Sequence, residues 1–405
     1  GNGNVDPYKF LPTMSIDKTG VIVGDGQVNY TSYPGLIPNN LTWEKVTTYD
    51  VGVDVDMFKN RLTIGFDWYR RNTTDMYTVG PTLPEVLGTT QPKGNYANLK
   101  TKGWELTLSW RDNFKLAGSD FHYGVKFMLW DSQSWITKYN NATGKLSDYY
   151  EGYRIGDIWG YNIEGLFTSY DEIANHADQD YIKISDSKIW QPGDLKFADL
   201  NGDGKIDKGA QTLSDHGDLV IVGNEEERYH YGFNLNVGWK GIGISAFFQG
   251  VGKRDWYPGQ ETGFFWGKYN RPYGYSLKMH ENRWTEENPN PNAYWPRLVG
   301  YSSENGGRPM GTPNNRYMQD ASYLRLKALT VDYSLPQAWV SKLGLTGLKI
   351  YFTGENLFTF SNICENFDPE VIKGGDVDLK DRKGEEQGYS YPMLKTYTVG
   401  LNVSF

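Results

Sequence analysis

A chain of 405 residues would, if soluble, be expected to hold two or three domains or one large β structure. Its net charge of -8, with 22% charged residues, argues against a nucleic-acid partner. One cysteine, Cys364, excludes an intrachain disulfide and a zinc cluster. A mean hydropathy of -0.62 without any 18-residue apolar run excludes a transmembrane helix but not a transmembrane barrel.

Aromatic content is high at 15%, Gly numbers 47, and Leu-rich amphipathic helix is scarce. The chain therefore reads as all-β, with aromatics suited to membrane girdles or a carbohydrate-binding surface. Residues 1–42 are rich in Gly, Asn and Pro, with one possible strand near 21–30. The start at Gly1-Asn2-Gly3-Asn4, without a signal peptide, is read as the start of a C-terminal part of a longer precursor.

From residue 51 the alternation is regular. Val51, Val53, Val55 and Met57 turn through 58–61 into Leu62, Ile64, Phe66 and Trp68, a hairpin with one oily face. Trp104, Leu106, Leu108 and Trp110 follow, and then Phe121, Tyr123, Val125, Phe127 and Leu129. Tyr231, Phe233, Leu235, Val237 and Trp239 pass through Lys240-Gly241 into Ile242, Ile244, Ala246 and Phe248. In 321–335 the phase breaks, since Leu324 and Leu326 are even while Leu329, Val331 and Tyr333 are odd. A bulge is expected there, and a short helix over 336–343. Leu348, Ile350 and Phe352 make another oily face. In the last strand Tyr397, Val399, Leu401, Val403 and Phe405 oppose Thr398, Gly400, Asn402 and Ser404.

The connections alternate in length. Stretches 71–101, 131–228, 252–320 and 356–392 are long, whereas 58–61, 111–120, 240–241 and 336–345 are short. Short periplasmic turns and long extracellular loops characterise transmembrane barrels, whereas a soluble β-sandwich does not sort its loops this way. The pattern predicts a transmembrane antiparallel β-barrel with about nine or ten strands in this chain. Segments 131–228 and 252–320 are its large extracellular loops.

One short motif is strong. In 199–207, Asp199, Asn201 and Asp203 occupy calcium-loop positions 1, 3 and 5, Gly204 the sixth, Lys205 (through its carbonyl) the seventh and Asp207 the ninth. Position 12 is Ala210, so Asp215 or Asp218 would have to fold back. The alternative is an Asx-rich turn without an ion. Either way the role is structural, and calcium is the one cofactor the sequence suggests.

Loop aromatics supply candidates for contact with a substrate or a partner protein: Trp159, Tyr161, Trp256, Tyr257, Trp266, Tyr269 and Trp284, with Tyr273 and others nearby. The competing reading makes them the loops' own core. The five His lack HExxH spacing, and G-x-S-x-G, P-loop and Cys/His patterns are missing. Glu385-Glu386 reads as solvated. No catalytic constellation is found.

Several stretches together resemble the SusC-like TonB-dependent transporters. They include Leu41-Thr42-Trp43-Glu44-Lys45-Val46, Gly193-Asp194-Leu195-Lys196-Phe197-Ala198-Asp199 with its Asn-Gly-Asp-Gly loop, and Tyr231-Gly232-Phe233-Asn234-Leu235. Residues 61–69 followed by Thr73-Thr74-Asp75, Phe247-Phe248-Gln249-Gly250-Val251-Gly252, Ser322-Tyr323-Leu324-Arg325-Leu326-Lys327, Gly354-Glu355-Asn356-Leu357-Phe358-Thr359-Phe360, Phe367-Asp368-Pro369-Glu370 and Tyr391-Pro392 complete the set. They stand in family order from about residue 41 to the end. The family's calcium-like loop places its twelfth ligand shortly before Ile-Gly-Asn. Here 208–217 looks like an insertion, and Asp218 precedes Val222-Gly223-Asn224, which makes Asp218 the displaced ligand.

The resemblance implies a larger, plugged barrel of roughly 22 strands, of which this chain is the C-terminal portion. The plug, the TonB box and the early strands are expected in an N-terminal fragment of the same protein. It implies active, TonB-dependent import across the gram-negative outer membrane, without enzymatic activity. Its implied partners are a SusD-like lid lipoprotein, the TonB complex and membrane lipid, assembled as a dimer of transporter–lid pairs. Aromatic content favours a glycan substrate, with an oligosaccharide or peptide open. Tyr397, Val399, Leu401, Val403 and Phe405 are implied to be the barrel-assembly signal. A passive porin or structural barrel and a soluble calcium-bound lectin-like β protein stay as alternatives.

Overall fold

The computed structural model describes residues 11–405 except 39–40, 81–82, 88–90, 183–188, 260–261, 270–273, 300–309 and 373–389. Tyr273, Glu385 and Glu386 lie outside the described residues.

The main element is a nine-stranded sheet whose strands are neighbours in chain order. They are β3 (Lys45–Met57), β4 (Leu62–Val79), β5 (Lys93–Leu116), β6 (Ser119–Lys138), β11 (Arg228–Trp239), β12 (Ile242–Lys253), β15 (Tyr323–Ser334), β16 (Gly347–Ser361) and β17 (Thr396–Ser404). Before them lie β1 (Ile16–Val23) and β2 (Gly26–Thr31), and between them β7 (Asp157–Gly160), β8 (Ile163–Leu166), β9 (Leu195–Phe197), β10 (Val220–Asn224), β13 (Asp255–Trp256) and β14 (Gln319–Asp320). These form two-stranded sheets: β1 with β2, β7 with β10, β8 with β9 and β13 with β14. Among the described residues the short helices are α1 (Tyr170–Ala174), α2 (Gly263–Trp266) and α3 (Gln337–Val340).

A sheet of neighbours in sequence order needs only hairpin connections, and the turns are built for them. Ala117 and Gly118 have φ of 49° and 77°, and Lys240 and Gly241 have 48° and 83°. Two consecutive positive φ values make the turn type whose twist matches that of its strands. Gly241 is required twice over, because a Cβ there would also stand 2.6 Å from the Ser334 carbonyl.

The sheet's apolar face is open rather than packed. Val51 is 64% exposed, Leu401 65% and Val399 75%. Such a face cannot stand in water but suits hydrocarbon. The opposite face carries Asn234, Asn236, Ser245, Thr330, Thr353 and Asn402 in register.

The expected bulge is at Lys327. Phe247 and Phe248 of β12 pair with Ala328 and Leu326, which skips it. Toward β16 the register jumps from Leu326–Phe358 to Ala328–Glu355, leaving Asn356 and Leu357 extra, with Asn356 at φ 51°. The shift brings Leu326 and Leu329 to one face, where Leu326 and Leu357 pack with Ala246, Leu235, Phe248 and Leu329. The helix expected over 336–343 is present as α3 and a 3-10 turn at Ser341–Leu343.

Two expectations change. The single strand near 21–30 is the β1–β2 hairpin. Strands also run further than alternation indicates. β4 continues to Val79, β5 begins at Lys93, and Ala117 and Gly118 alone separate β5 from β6. Their added lengths carry polar residues on both faces, so period two is not visible in the sequence there.

The chain forms two compact units. One comprises Gly1–Asp50, Tyr69–Lys102 and Gln133–Ile155. In it Asn95 joins distant stretches, accepting from Thr42 N–H at 2.8 Å and donating to the Thr42 carbonyl at 2.9 Å. The other comprises Val51–Trp68, Gly103–Ser132 and Gly156–Phe405, and holds the calcium-like loop, the aromatic loop core and the last five sheet strands.

Candidate functional site

The 199–218 loop closes on itself. Asp199 accepts from the N–H groups of Gly202 (2.7 Å) and Gly204 (2.9 Å). Asn201 accepts from Asp203 N–H (2.9 Å) and Asp203 from Lys205 N–H (2.9 Å). Asp207 accepts from Gly209 N–H at 2.7 Å. Asp218 folds back onto the turn. It is fully buried, and its two oxygens accept from Leu200 N–H (2.7 Å) and Asp207 N–H (2.9 Å), so it braces both ends of the turn.

The donors of the loop are all oxygens, the set a hard cation such as calcium prefers. Among the described residues, however, no group of three or more His, Cys, Asp and Glu side chains converges to hold a metal ion. The carboxylates are turned onto backbone amides, and the loop's fold is accounted for by those bonds.

Six of the seven aromatic candidates take the place that the competing reading gave them, inside the loops. Tyr161, Trp256, Tyr257, Trp266, Tyr269 and Trp284 are all buried, Trp266 completely. Trp266 meets Trp295 at 6.0 Å and Tyr317 at 5.5 Å, and Tyr269 stacks on Trp295 at 5.1 Å. Trp256 packs on Phe367 at 4.9 Å and Tyr161 on Phe197 at 5.3 Å. Trp284 covers Gly193, where a Cβ would run into its ring. Trp266 Nε1 donates to the Gly259 carbonyl (2.9 Å) and Tyr269 Oη to that of Pro296 (2.7 Å), whereas the buried Tyr161 Oη has no partner among the described residues. Burial also pushes the Tyr161 and Tyr269 phenols above their ordinary range and the His280 imidazole below it. These rings are the loop core, because Trp and Tyr bury the most area per residue in loops that lack long strands. Trp159 alone of the seven is half-buried, tilted against His216 at 5.5 Å.

The structure brings together a charge cluster that sequence reasoning did not single out. Arg325, on the polar face of β15, is 3% exposed in its side chain. It pairs with Asp368 at 2.6 Å and with Glu370, and donates to Thr359 Oγ1 at 2.8 Å. Lys327 reaches Glu370 at 2.8 Å. Arg254 pairs with Glu227 at 2.9 Å and donates to the Ile372 carbonyl at 2.8 Å. The signal was present, since Ser322–Lys327 and Phe367–Glu370 are two of the stretches that carry the resemblance. Their contact was not readable from one sequence.

The last strand pairs along its length with β16, from Gly347–Ser404 to Glu355–Thr396. Tyr397, Val399, Leu401 and Val403 are exposed on one face of the strand, and Phe405, just beyond it, is exposed as well.

A family model described as "TonB dependent receptor-like, beta-barrel" matches residues 11–213. The chain belongs to that family. It is a SusC-like, all-β outer-membrane barrel chain. It is 28% identical over 420 residues to TonB-dependent receptor P3 of Formosa agariphila, a match covering 100% of this chain and 38% of that protein. It is 24% identical over 419 residues to TonB-dependent receptor SusC of Bacteroides thetaiotaomicron, covering 100% of this chain and 36% of that protein. The chain thus spans well under half the length of these relatives. Its fold matches the RagAB peptide importer in the "open-open" state with a TM-score of 0.68 at 21% identity, covering 100% of this chain and 39% of that one. In the "closed-closed" state the TM-score is 0.64 at 20% identity, covering 98% and 38%.

Proposed function

We propose that this chain is the C-terminal part of the wall of an active importer, driven through TonB and without enzymatic activity of its own. The observation that carries the proposal is the nine-stranded sheet of a TonB-dependent receptor family, apolar on one face and polar on the other. The polar face lines the substrate path, and the loops between β6 and β11 and between β12 and β15 face the exterior, where a SusD-like lipoprotein would act as lid. The N-terminal part of the protein would supply the plug, the TonB contact and the remaining strands of a barrel of roughly 22. The assembly would be a dimer of transporter–lid pairs in membrane lipid. Tyr397, Val399, Leu401, Val403 and Phe405 would be read by the barrel-assembly machinery.

The substrate would be an oligomer, a glycan or a peptide. Burial of six of the seven candidate aromatics removes the aromatic argument for a glycan. Trp159 is the retained candidate for contact with substrate or lid. A structural calcium is proposed at 199–218 on donor chemistry alone, with Asp199, Asn201, Asp203, Asp207 and the Lys205 carbonyl as ligands and Asp218 bracing the loop.

The test is to purify the intact complex, identify its bound ligand by mass spectrometry, and follow uptake of that ligand in cells with and without TonB. Uptake that is lost without TonB supports the importer. Uptake that persists makes the protein a passive porin.

A further inference from the structure

Residues 364–372 lie between two different kinds of contact. On the side of the loop core, Phe367 packs on Trp256 at 4.9 Å, and Ile372 is buried with its carbonyl held by Arg254 at 2.8 Å. On the side of the sheet the contacts are ionic. Asp368 takes Arg325 at 2.6 Å on one oxygen and accepts from Met393 N–H at 2.9 Å on the other, while Glu370 takes Arg325 and, at 2.8 Å, Lys327. The sheet contributes two cations on one face, Arg325 and Lys327, and the segment contributes two anions. The bulge leaves Lys327 outside the β12 and β16 registers.

We propose that residues 364–372 form a strap, clamped to the polar face of β15 by Arg325 and Lys327, that opens as a local unit while the sheet stays folded. The reading rests on this geometry alone and not on import. The physical reason is the difference between the two attachments. A backbone ladder is lost only by unfolding the strands, whereas a buried ion pair roughly balances desolvation against Coulomb attraction. When such a pair opens, each charge recovers its hydration, so the cost of opening is small beside that of the sheet. Segments outside the backbone ladder can open locally below the global cost, and here the cost of opening includes the lost burial of Phe367 and Ile372. Because the strap also carries Phe367 and Ile372, its opening would free the loop core from the wall of the polar face.

Cys364 is the one cysteine in this chain, half-buried in the strap with its Sγ 3.5 Å from Met279 Sδ. Its reaction with a maleimide reports opening in the intact transporter in native membranes, and a Cys364→Ser control subtracts any other thiol. Glu370→Gln, Lys327→Met and Arg325→Met should each raise the labelling rate at least tenfold. The heat-modifiable gel shift of the folded barrel should be unchanged. If Arg325→Met does not fold, the other two variants decide. Folded variants that label at the wild-type rate overturn the proposal, as does wild-type labelling that proceeds only as fast as the barrel itself unfolds.

Discussion

Asp207 and Asp218 are bound to each other in both directions. The Asp218 side chain accepts from Asp207 N–H at 2.9 Å, and Asp218 N–H donates to the Asp207 carbonyl at 3.0 Å. Eleven residues apart, they close the 207–218 excursion, and Leu200 N–H at 2.7 Å ties the closure to the start of the turn. Asp218→Ala leaves two amide donors without their acceptor, at a cost of about 1–3 kcal/mol each where buried. The expected outcome is a local loss of order. Limited proteolysis should cut within 199–218 in the variant and not in the parent, with the folded barrel unchanged.

Calcium at the same loop has a separate readout. If Asp199, Asn201, Asp203 and Asp207 bind it, calcium stabilises the closed loop by mass action. Adding EDTA should then speed cleavage within 199–218, and calcium, but not magnesium, should restore protection. Identical cleavage in calcium and EDTA would remove the metal from the account and leave the hydrogen-bonded turn.

Acid should weaken the α1 region. Glu172 accepts from Thr168 N–H at 2.8 Å and from Lys196 Nζ at 2.9 Å. These bonds to the ionised form, the Thr168 amide first, pull its carboxyl down to about 2. The folded-state value lies below the ordinary one of 4.5, so the stabilisation is fully present above about pH 4.5 and is lost as pH falls toward 2. Hydrogen-exchange protection at 168–175, taken relative to the intrinsic rate at each pH, should fall over that window, and in Glu172→Gln this part of the pH dependence should vanish.

The two faces of β17 should respond oppositely to charge. Leu401→Arg puts a cation into hydrocarbon, at a cost of about 2–4 kcal/mol near the bilayer midplane. Asn402→Arg, one residue on, should cost much less. Urea titrations of the intact barrel in lipid would measure the difference, and equal losses would place lipid on neither face.

Much of the sheet could be read from the sequence, because a membrane wall imposes period two wherever one face meets lipid. Val51 to Trp68 and Tyr397 to Phe405 are legible for that reason, and the broken phase at Leu326 and Leu329 announced the bulge. The additional lengths of β4 and β5 were not legible, since Asn72 to Asp75 and Lys93 to Lys102 carry no continuous apolar face. The aromatic loop residues were visible, but whether a Trp packs inward or outward depends on partners far along the chain. Trp256 meets Phe367 and Trp266 meets Tyr317. The Arg325–Asp368 pair was hidden likewise: each residue stood in a stretch that carried the resemblance, and only the fold brought them together.

Lipid against one face of this sheet is the central claim, and β17 tests it most directly. A bimane fluorophore would be placed on single cysteines at Val399 and Leu401, and at Thr398 and Asn402, in the intact protein in vesicles. Gly400 is left alone because a Cβ there would overlap the Tyr351 ring. Brominated lipid should quench positions 399 and 401 strongly and leave 398 and 402 nearly unchanged. Quenching without alternation, or none at any of the four, would contradict a membrane-spanning wall.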